Sequence, residues 1–371
     1  MFFKNLIESL RNLIFIAENF PKQKNIIFFS EGNNHWKYLE PFIFALITLI
    51  DNKKIKYITQ SKDDLGYKIL RDKIDVFYIG SGRIRDYILS NIDASVFFTS
   101  SPDIDQLQVK KSKSCKHYCY IQHSLNSLMM AYNEFAFKIY DSMFICGEHH
   151  KKEIEEIIRV YNWKKKKLYN SIYSPLINSI KIRKKNNSKI KSVLIAPTWG
   201  PESIIESGKI YHIIDQLISD NFVIYLRPHP ETIKHCSKIL KSILNRYKNN
   251  QIILDQNTAD FKSLQECEIL ITDWSGIAFD FALGLKKPVI FFKTNPKIKN
   301  INFSKINIEP IEQKCKKFFG IEVSENDNLA KIIKDKSFIT KMKPENVENI
   351  FTDSPIQTMK KFITDNKLLF K

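Results

Sequence analysis

Between positions 192 and 292, short runs of unbroken apolar residues alternate with longer stretches whose apolar residues recur every three to four positions. The runs lie at 192–196, 222–226, 252–254, 269–272 and 289–292, and the helical spacing at 209–220, 231–247, 259–267 and 277–285. A strand that shows no alternation is buried on both faces. That is the situation in a parallel sheet covered by helices on each side. The first half repeats the rhythm less cleanly, with strands expected at 25–29, 55–58, 76–79, 95–99, 118–122 and 142–146. Helices are expected there at 36–49, 65–71, 84–92 and 148–161.

A chain of 371 residues suits two such units better than one. The lysine- and asparagine-rich run 181–191 reads as the linker, separating a first domain, 1–180, from a second, 192–345. The remaining 346–371 contains a helical stretch, 357–370, expected to cross back onto the first domain. The fold class is therefore α/β and GT-B-like: two doubly wound, Rossmann-like parallel-sheet domains facing a central cleft.

The formal charge is +18, from 58 basic against 40 acidic residues, and lysine supplies nearly all the excess. Such a balance favours an anionic surface or polymer as partner. Nucleic acid is not expected, because no basic stripe is interleaved with aromatics and no named binding motif is present. The six cysteines form no C-x-x-C pair and read as reduced thiols of a cytosolic protein. Lys4, Glu8 and Arg11 interrupt the apolar start, which argues against a secretory leader. The longest apolar run, 42–50, is too short to cross a bilayer. Phe2, Phe3, Leu6, Ile7, Leu10 and Leu13 give the start an amphipathic character suited to an anionic membrane surface or to packing.

Ligands bind open parallel sheets at the carboxyl ends of the strands, and the polar residues there are distinctive. Arg227, one of only eight arginines, follows the 222–226 run, and a planar fork of donors suits phosphate. His229 sits between Pro228 and Pro230, which fix the backbone around it. Asp273-Trp274-Ser275-Gly276 ends the 269–272 run before a helical stretch, where small residues admit phosphate oxygens. Asp280 follows, placed to hydrogen-bond a ribose or to hold the loop. In the first domain His123 and Ser124 end the 118–122 run, and Asn33 lies in the loop after the first strand. An imidazole at that position is suited to take a proton from an acceptor hydroxyl. Glu148-His149-His150 lacks the i, i+4 spacing of a metal site, and no metal site is expected.

The pieces Ala196-Pro197-Thr198-Trp199, Leu226-Arg227-Pro228-His229-Pro230, Ile271 to Gly276 with Asp280, and Lys287-Pro288-Val289-Ile290-Phe291 together resemble the CDP-glycerol glycerophosphotransferase family. These are the teichoic-acid-type primases and polymerases of bacterial envelopes. Gln122-His123 resembles the family's first-domain histidine site. The resemblance runs over roughly 115–295 and implies transfer of phosphoglycerol, or a related phospho-alditol, from a CDP-glycerol or CDP-alditol donor. It further implies a lipid-linked or polymeric acceptor, an anionic membrane surface as partner, and a cytoplasmic place on the inner face of the cell membrane. By that likeness His123 is the base and His229 contacts the donor pyrophosphate. Arg227, Thr198, Trp199, Asp273, Ser275, Gly276 and Asp280 lie on the donor side, and Ser124 and Asn33 on the acceptor side. CMP is a good leaving group, so no cofactor is required, although a divalent metal is compatible with the chemistry. Two positions depart from the family: Ser124 replaces the glycine after the histidine, and Trp274 precedes Ser275 where a tyrosine is usual. The competing expectation is a GT-B glycosyltransferase that uses a nucleotide sugar for capsule or lipopolysaccharide synthesis.

Overall fold

Among the described residues of a computed structural model, thirteen strands form two sheets, and every strand pairing in them is parallel. The structure describes residues 25–106, 109–183, 192–247, 252–257, 260–347 and 349–370. The amphipathic start and most of the expected linker lie outside them. The first sheet contains β1 (Ile26–Ser30), β2 (Ile55–Thr59), β3 (Asp75–Tyr78), β4 (Val96–Thr99), β5 (Tyr118–Ile121), β6 (Ser142–Ile145) and β7 (Lys167–Asn170), in the order 3-2-1-4-5-6-7. The second contains β8 (Ser192–Ile195), β9 (Val223–Leu226), β10 (Ile252–Leu254), β11 (Ile269–Thr272), β12 (Val289–Phe292) and β13 (Gly320–Val323), in the order 10-9-8-11-12-13. The chain reverses direction of growth between β1 and β4 and again between β8 and β11. Those two crevices are where such sheets bind ligands.

The central strands β1, β4, β5, β6, β8, β11 and β12 are buried along their whole length, as unbroken apolar runs require. Each sheet packs helices on both faces, and a further core joins the two domains. Leu125, Cys146, Tyr173 and Leu176 pack there with Phe279, Phe281 and Ala282. Five of the six cysteines are buried, and all six are free thiols. No helix among the described residues is long and apolar enough to cross a membrane.

Several elements differ from the sequence expectation. The helix Ser174–Ile182 extends into the run read as linker and packs on the second domain, where a Cβ at Gly284 would lie 2.4 Å from Ser179 Cβ. The 231–247 stretch breaks at Cys236 (φ −120°, ψ 33°) into Pro230–His235 and Ser237–Arg246. The 277–285 stretch makes one α-helical turn, Ile277–Phe279, then widens into a π-turn, Asp280–Gly284. There Leu285 N–H donates to Asp280 O at 3.1 Å. A π-turn inserts one extra residue and recurs at functional sites.

The chain returns to the first domain near its end. Phe351 N–H donates to Cys146 O at 2.9 Å and Glu148 N–H to Asn349 O at 3.0 Å. The helix Pro355–Asp365 then lays Met359 and Phe362, both fully buried, on the first sheet. The Phe362 ring lies 5.3 Å from those of Phe98 and Tyr169 and 5.6 Å from Phe144.

Candidate functional site

The second domain's share of the cleft is organised by one carboxylate. Asp273, at the end of β11, is buried. Its Oδ1 accepts from the backbone N–H groups of Thr198 (2.7 Å) and Trp274 (2.7 Å), and its Oδ2 from Ile204 (3.1 Å). It thus ties the loop after β8 to the loop after β11 across the crevice. Burial raises its pKa, and the three N–H donors work against that rise. Asp273, expected on the donor side, serves as the frame of the loops that carry Thr198, Trp199 and Ser275. Glu206 supports the same loop by accepting from Gly200 N–H and Thr232 Oγ1, each at 3.0 Å.

Arg227 is engaged differently from the phosphate fork that its rarity suggested. Its Nη1 donates to Ser263 Oγ (3.1 Å) and to Asp255 (3.3 Å), and its Nη2 to Asp260 O (3.0 Å), with 7% of the residue exposed. The guanidinium braces Asp255, Asp260 and Ser263. Asp280 is buried beside it. Burial raises the Asp280 carboxyl to about 7, against the pull of Lys37 and Arg227. Its Oδ1 has no hydrogen-bond partner among the described residues.

His229 caps the helix Pro230–His235, with its Nδ1 accepting from Glu231 N–H at 3.1 Å. That bond fixes the tautomer: the proton sits on Nε2, a donor. Burial, then the charges of Lys297, Lys299 and Lys37, lowers its pKa to about 3, so the ring is neutral at physiological pH. Trp199 packs 6.1 Å from it, under the ammonium groups of Lys297 (3.7 Å to the ring centroid) and Lys299 (4.9 Å). These stabilising cation–π contacts hold both lysines over the cleft. Lys297 is itself lowered to about 7, by burial first and then by Lys299.

Across the cleft, His123 follows β5. Its Nδ1 is 2.6 Å from Tyr120 Oη and its Nε2 3.3 Å from Tyr132 Oη. Its ring lies 5.9 Å from Tyr38 and 6.2 Å from His35, whose Nδ1 is 2.8 Å from Ser100 Oγ. Burial, then His35, lowers His123 to about 3, with Lys37 and His229 adding to the fall. Lys37 lowers the pKa of both His123 and His229, and His229 contributes to the fall at His123, so the two imidazoles line one cleft. Asn33, expected on the acceptor side, is occupied locally, with Oδ1 accepting from Leu65 N–H at 2.7 Å.

The two walls meet at Ser124 to Ser127. Asn126 Nδ2 donates to Trp274 O at 3.2 Å, and Ser127 N–H to Glu312 Oε1 at 3.0 Å. The Nε2 atoms of His149 and His150 reach Leu125 O (2.9 Å) and Asn126 O (3.1 Å) and clamp this loop from behind. No group of three or more potential metal-ligating side chains occurs among the described residues. Gly276 sits where the junction is close: a Cβ there would lie 2.6 Å from Asn126 Oδ1 and 3.1 Å from Ser124 Oγ, so the Asn126 side chain would have to move. Gly276→Val is expected to push Asn126 off Trp274 and misalign the walls. Steady-state assay should show kcat/KM falling about tenfold or more, since misplacement on the ångström scale is costly to positioned reactants. An unchanged kcat/KM would show that the junction tolerates the branch.

The structure therefore brings His123, Ser124, Thr198, Trp199, His229, Asp273 to Gly276 and Asp280 to one cleft. It also adds His35, Lys37, Tyr120, Tyr132, Lys297 and Lys299, which no local sequence pattern marks. The result is a cationic slot with two neutral imidazoles, suited to a diphosphate held between a proton acceptor and a proton donor.

Comparison with known proteins places this cleft in context. Residues 164–302 match the family model described as CDP-Glycerol:Poly(glycerophosphate) glycerophosphotransferase. The teichoic acid poly(glycerol phosphate) polymerase of Bacillus spizizenii is 29% identical over 140 residues, 35% of this chain and 32% of that protein. The teichoic acid glycerol-phosphate primase of Bacillus subtilis is 29% identical over 116 residues, 30% and 28% of the two chains. The matched stretches thus span about a third or less of the curated relatives' length. Among solved structures, a wall teichoic acid polymerase aligns over 99% of this chain and 97% of its own, with a TM-score of 0.54 at 17% identity. The UDP-GlcNAc 2-epimerase of Methanocaldococcus jannaschii aligns over 92% and 99%, with 0.56 at 15%. Both likenesses show the shared two-domain GT-B fold.

Proposed function

We propose that this chain, whose residues 164–302 match the CDP-glycerol:poly(glycerophosphate) glycerophosphotransferase family model, transfers a phosphoglycerol or related phospho-alditol unit from a CDP-linked donor to an acceptor hydroxyl. The acceptor in this reading is a membrane-associated envelope polymer or lipid-linked precursor at the cytoplasmic face. The observation that carries the reading is the facing pair of neutral histidines in a lysine-lined cleft.

The acceptor oxygen attacks the β-phosphorus as its proton passes to His123 Nε2. The bond from that phosphorus to the bridging oxygen breaks, its electron pair stays on that oxygen, and CMP leaves. For Nε2 to be the basic nitrogen, Nδ1 must carry its proton and donate to Tyr120 Oη, which the 2.6 Å contact permits, and the acceptor hydroxyl must displace Tyr132 Oη from its 3.3 Å contact with Nε2. His229 Nε2–H, with Lys37, Lys297 and Lys299, neutralises charge as it collects on the leaving phosphate. Neither step draws on a metal ligand.

The test is CMP release by the purified full chain offered CDP-glycerol, then CDP-ribitol, with membrane extract as acceptor source. Release from one of them, lost in His123→Ala, is expected. His229→Asn sharpens the test, because asparagine keeps an N-cap while removing the Nε2–H donor. Its activity should fall about 100-fold or more, in line with the loss of one donor to a developing oxyanion. No release from either donor, with turnover of a nucleotide sugar instead, would move the protein to the glycosyltransferases.

A further inference from the structure

We propose that the surface formed by the loop carrying Ile298 and Ile301, together with Phe135 and the lysines around them, docks on an anionic phospholipid bilayer. This deepens the reading of a membrane-associated acceptor by assigning the face that meets the lipid. Ile301 is 87% exposed, Ile298 45% and Phe135 38%, an unusual degree of exposure for side chains with no charge to solvate them. They form one patch. Asn300, just before Ile301, bonds to Tyr161 (Oη to Oδ1, 3.3 Å), and Asn302, just after it, donates to Glu134 (2.5 Å), the neighbour of Phe135. The Phe135 ring in turn lies 6.1 Å from Tyr161.

The rim is cationic. Lys138 stands over the Phe135 ring at 5.3 Å, and exposed Lys164 and Lys165 line the same hollow as Lys138. Exposed Lys299 adjoins the isoleucines on the other side. Apolar side chains ringed by lysine match the layering of a bilayer surface, with acyl carbon below and anionic headgroups above. A soluble polyanion would use the lysines but leave the isoleucines without a role. The position also suits the chemistry. The same loop holds Lys297 and Lys299 over Trp199, so docking by this face brings the cleft mouth to the membrane plane, where a lipid-linked hydroxyl resides.

The experiment is vesicle co-sedimentation of the full chain with phosphatidylglycerol–phosphatidylcholine vesicles and with phosphatidylcholine alone, at low and high salt. Binding is expected only to the anionic vesicles and should weaken with salt. Ile301→Asp and the double variant Lys164→Glu/Lys165→Glu should each reduce the partition coefficient about tenfold or more. Both alter exposed side chains outside the transfer machinery, so their thermal midpoints should equal that of the unaltered chain. Wild-type-like sedimentation of both variants would overturn the proposal, as would failure of the full chain to bind. So would binding of soluble polyphosphate that depends on the lysines, combined with vesicle binding indifferent to Ile301→Asp. No donor is present in the assay, so its outcome is independent of whether CMP is released.

Discussion

Replacing His123 by alanine should cost roughly three orders of magnitude in kcat, because a positioned base contributes about 10²–10⁴-fold. Its two ring nitrogens are already paired with Tyr120 and Tyr132, so the imidazole is held in orientation before substrate arrives. The pH profile is the more discriminating readout. In the free enzyme, burial first, and then the nearness of His35, Lys37 and His229, disfavours the imidazolium, and its pKa stands at about 3. The base is the neutral form, so activity is lost as pH falls through the pKa, and kcat/KM should hold down to strongly acidic pH. A bound diphosphate brings negative charge that favours the imidazolium and raises the pKa. The acid limb of kcat should therefore lie at higher pH than that of kcat/KM. Coincident limbs would mean that the donor's charge does not reach His123.

The second large effect is expected from Asp273→Ala. Three backbone N–H groups, of Thr198, Trp274 and Ile204, converge on this one buried side chain. Its removal leaves them without an acceptor where water has little access, at about 1–3 kcal/mol each before relaxation. A net loss of about 3–5 kcal/mol is reasonable, with the largest fall in activity at the Thr198–Trp199 loop's end of the cleft. Urea titration measures the first, and the KM for the donor the second. Asp273→Asn should not rescue, because its amide turns a donor toward donors. Stability within 1 kcal/mol of the parent, in the same titration, would show that the loops hold together by other contacts.

Much of this architecture is written in local pattern. The strand ends Arg227 to Pro230 and Asp273 to Gly276 are legible because an apolar run that stops at a polar, proline- or glycine-containing turn marks the carboxyl edge of a parallel strand. The edge strands β7 and β13 were not, for a physical reason. β7 buries only Tyr169, while Lys167 and Asn170 face solvent, and β13 opens with Gly320 and exposes Glu322, so neither shows an apolar run. Gly320 is forced by packing, since a Cβ there would sit 1.7 Å from Val289 O. The site was half legible. His123 and His229 announce themselves at strand ends, whereas Lys37 comes from a helix and Lys297 and Lys299 from a long loop, and their convergence exists only in three dimensions. Arg227 shows that a residue type alone leaves two roles open. Its rarity suggests a phosphate fork, whereas a strand-end guanidinium serves equally to brace its neighbours, and Asp255, Ser263 and Asp260 O accept from its Nη1 and Nη2.

The helix Pro355–Asp365 has a consequence for the order in which the molecule is made. Met359 and Phe362 supply part of the core that also holds Phe98, Phe144 and Tyr169, from strands β4, β6 and β7. Synthesis delivers those strands first and the helix that covers them only after the whole second domain. Until then the nascent first domain carries an uncovered aromatic patch on its sheet, a surface for chaperones to hold. The domain that leaves the ribosome first is therefore the last to be completed, and a release of the chain before residue 355 would strand it unfinished.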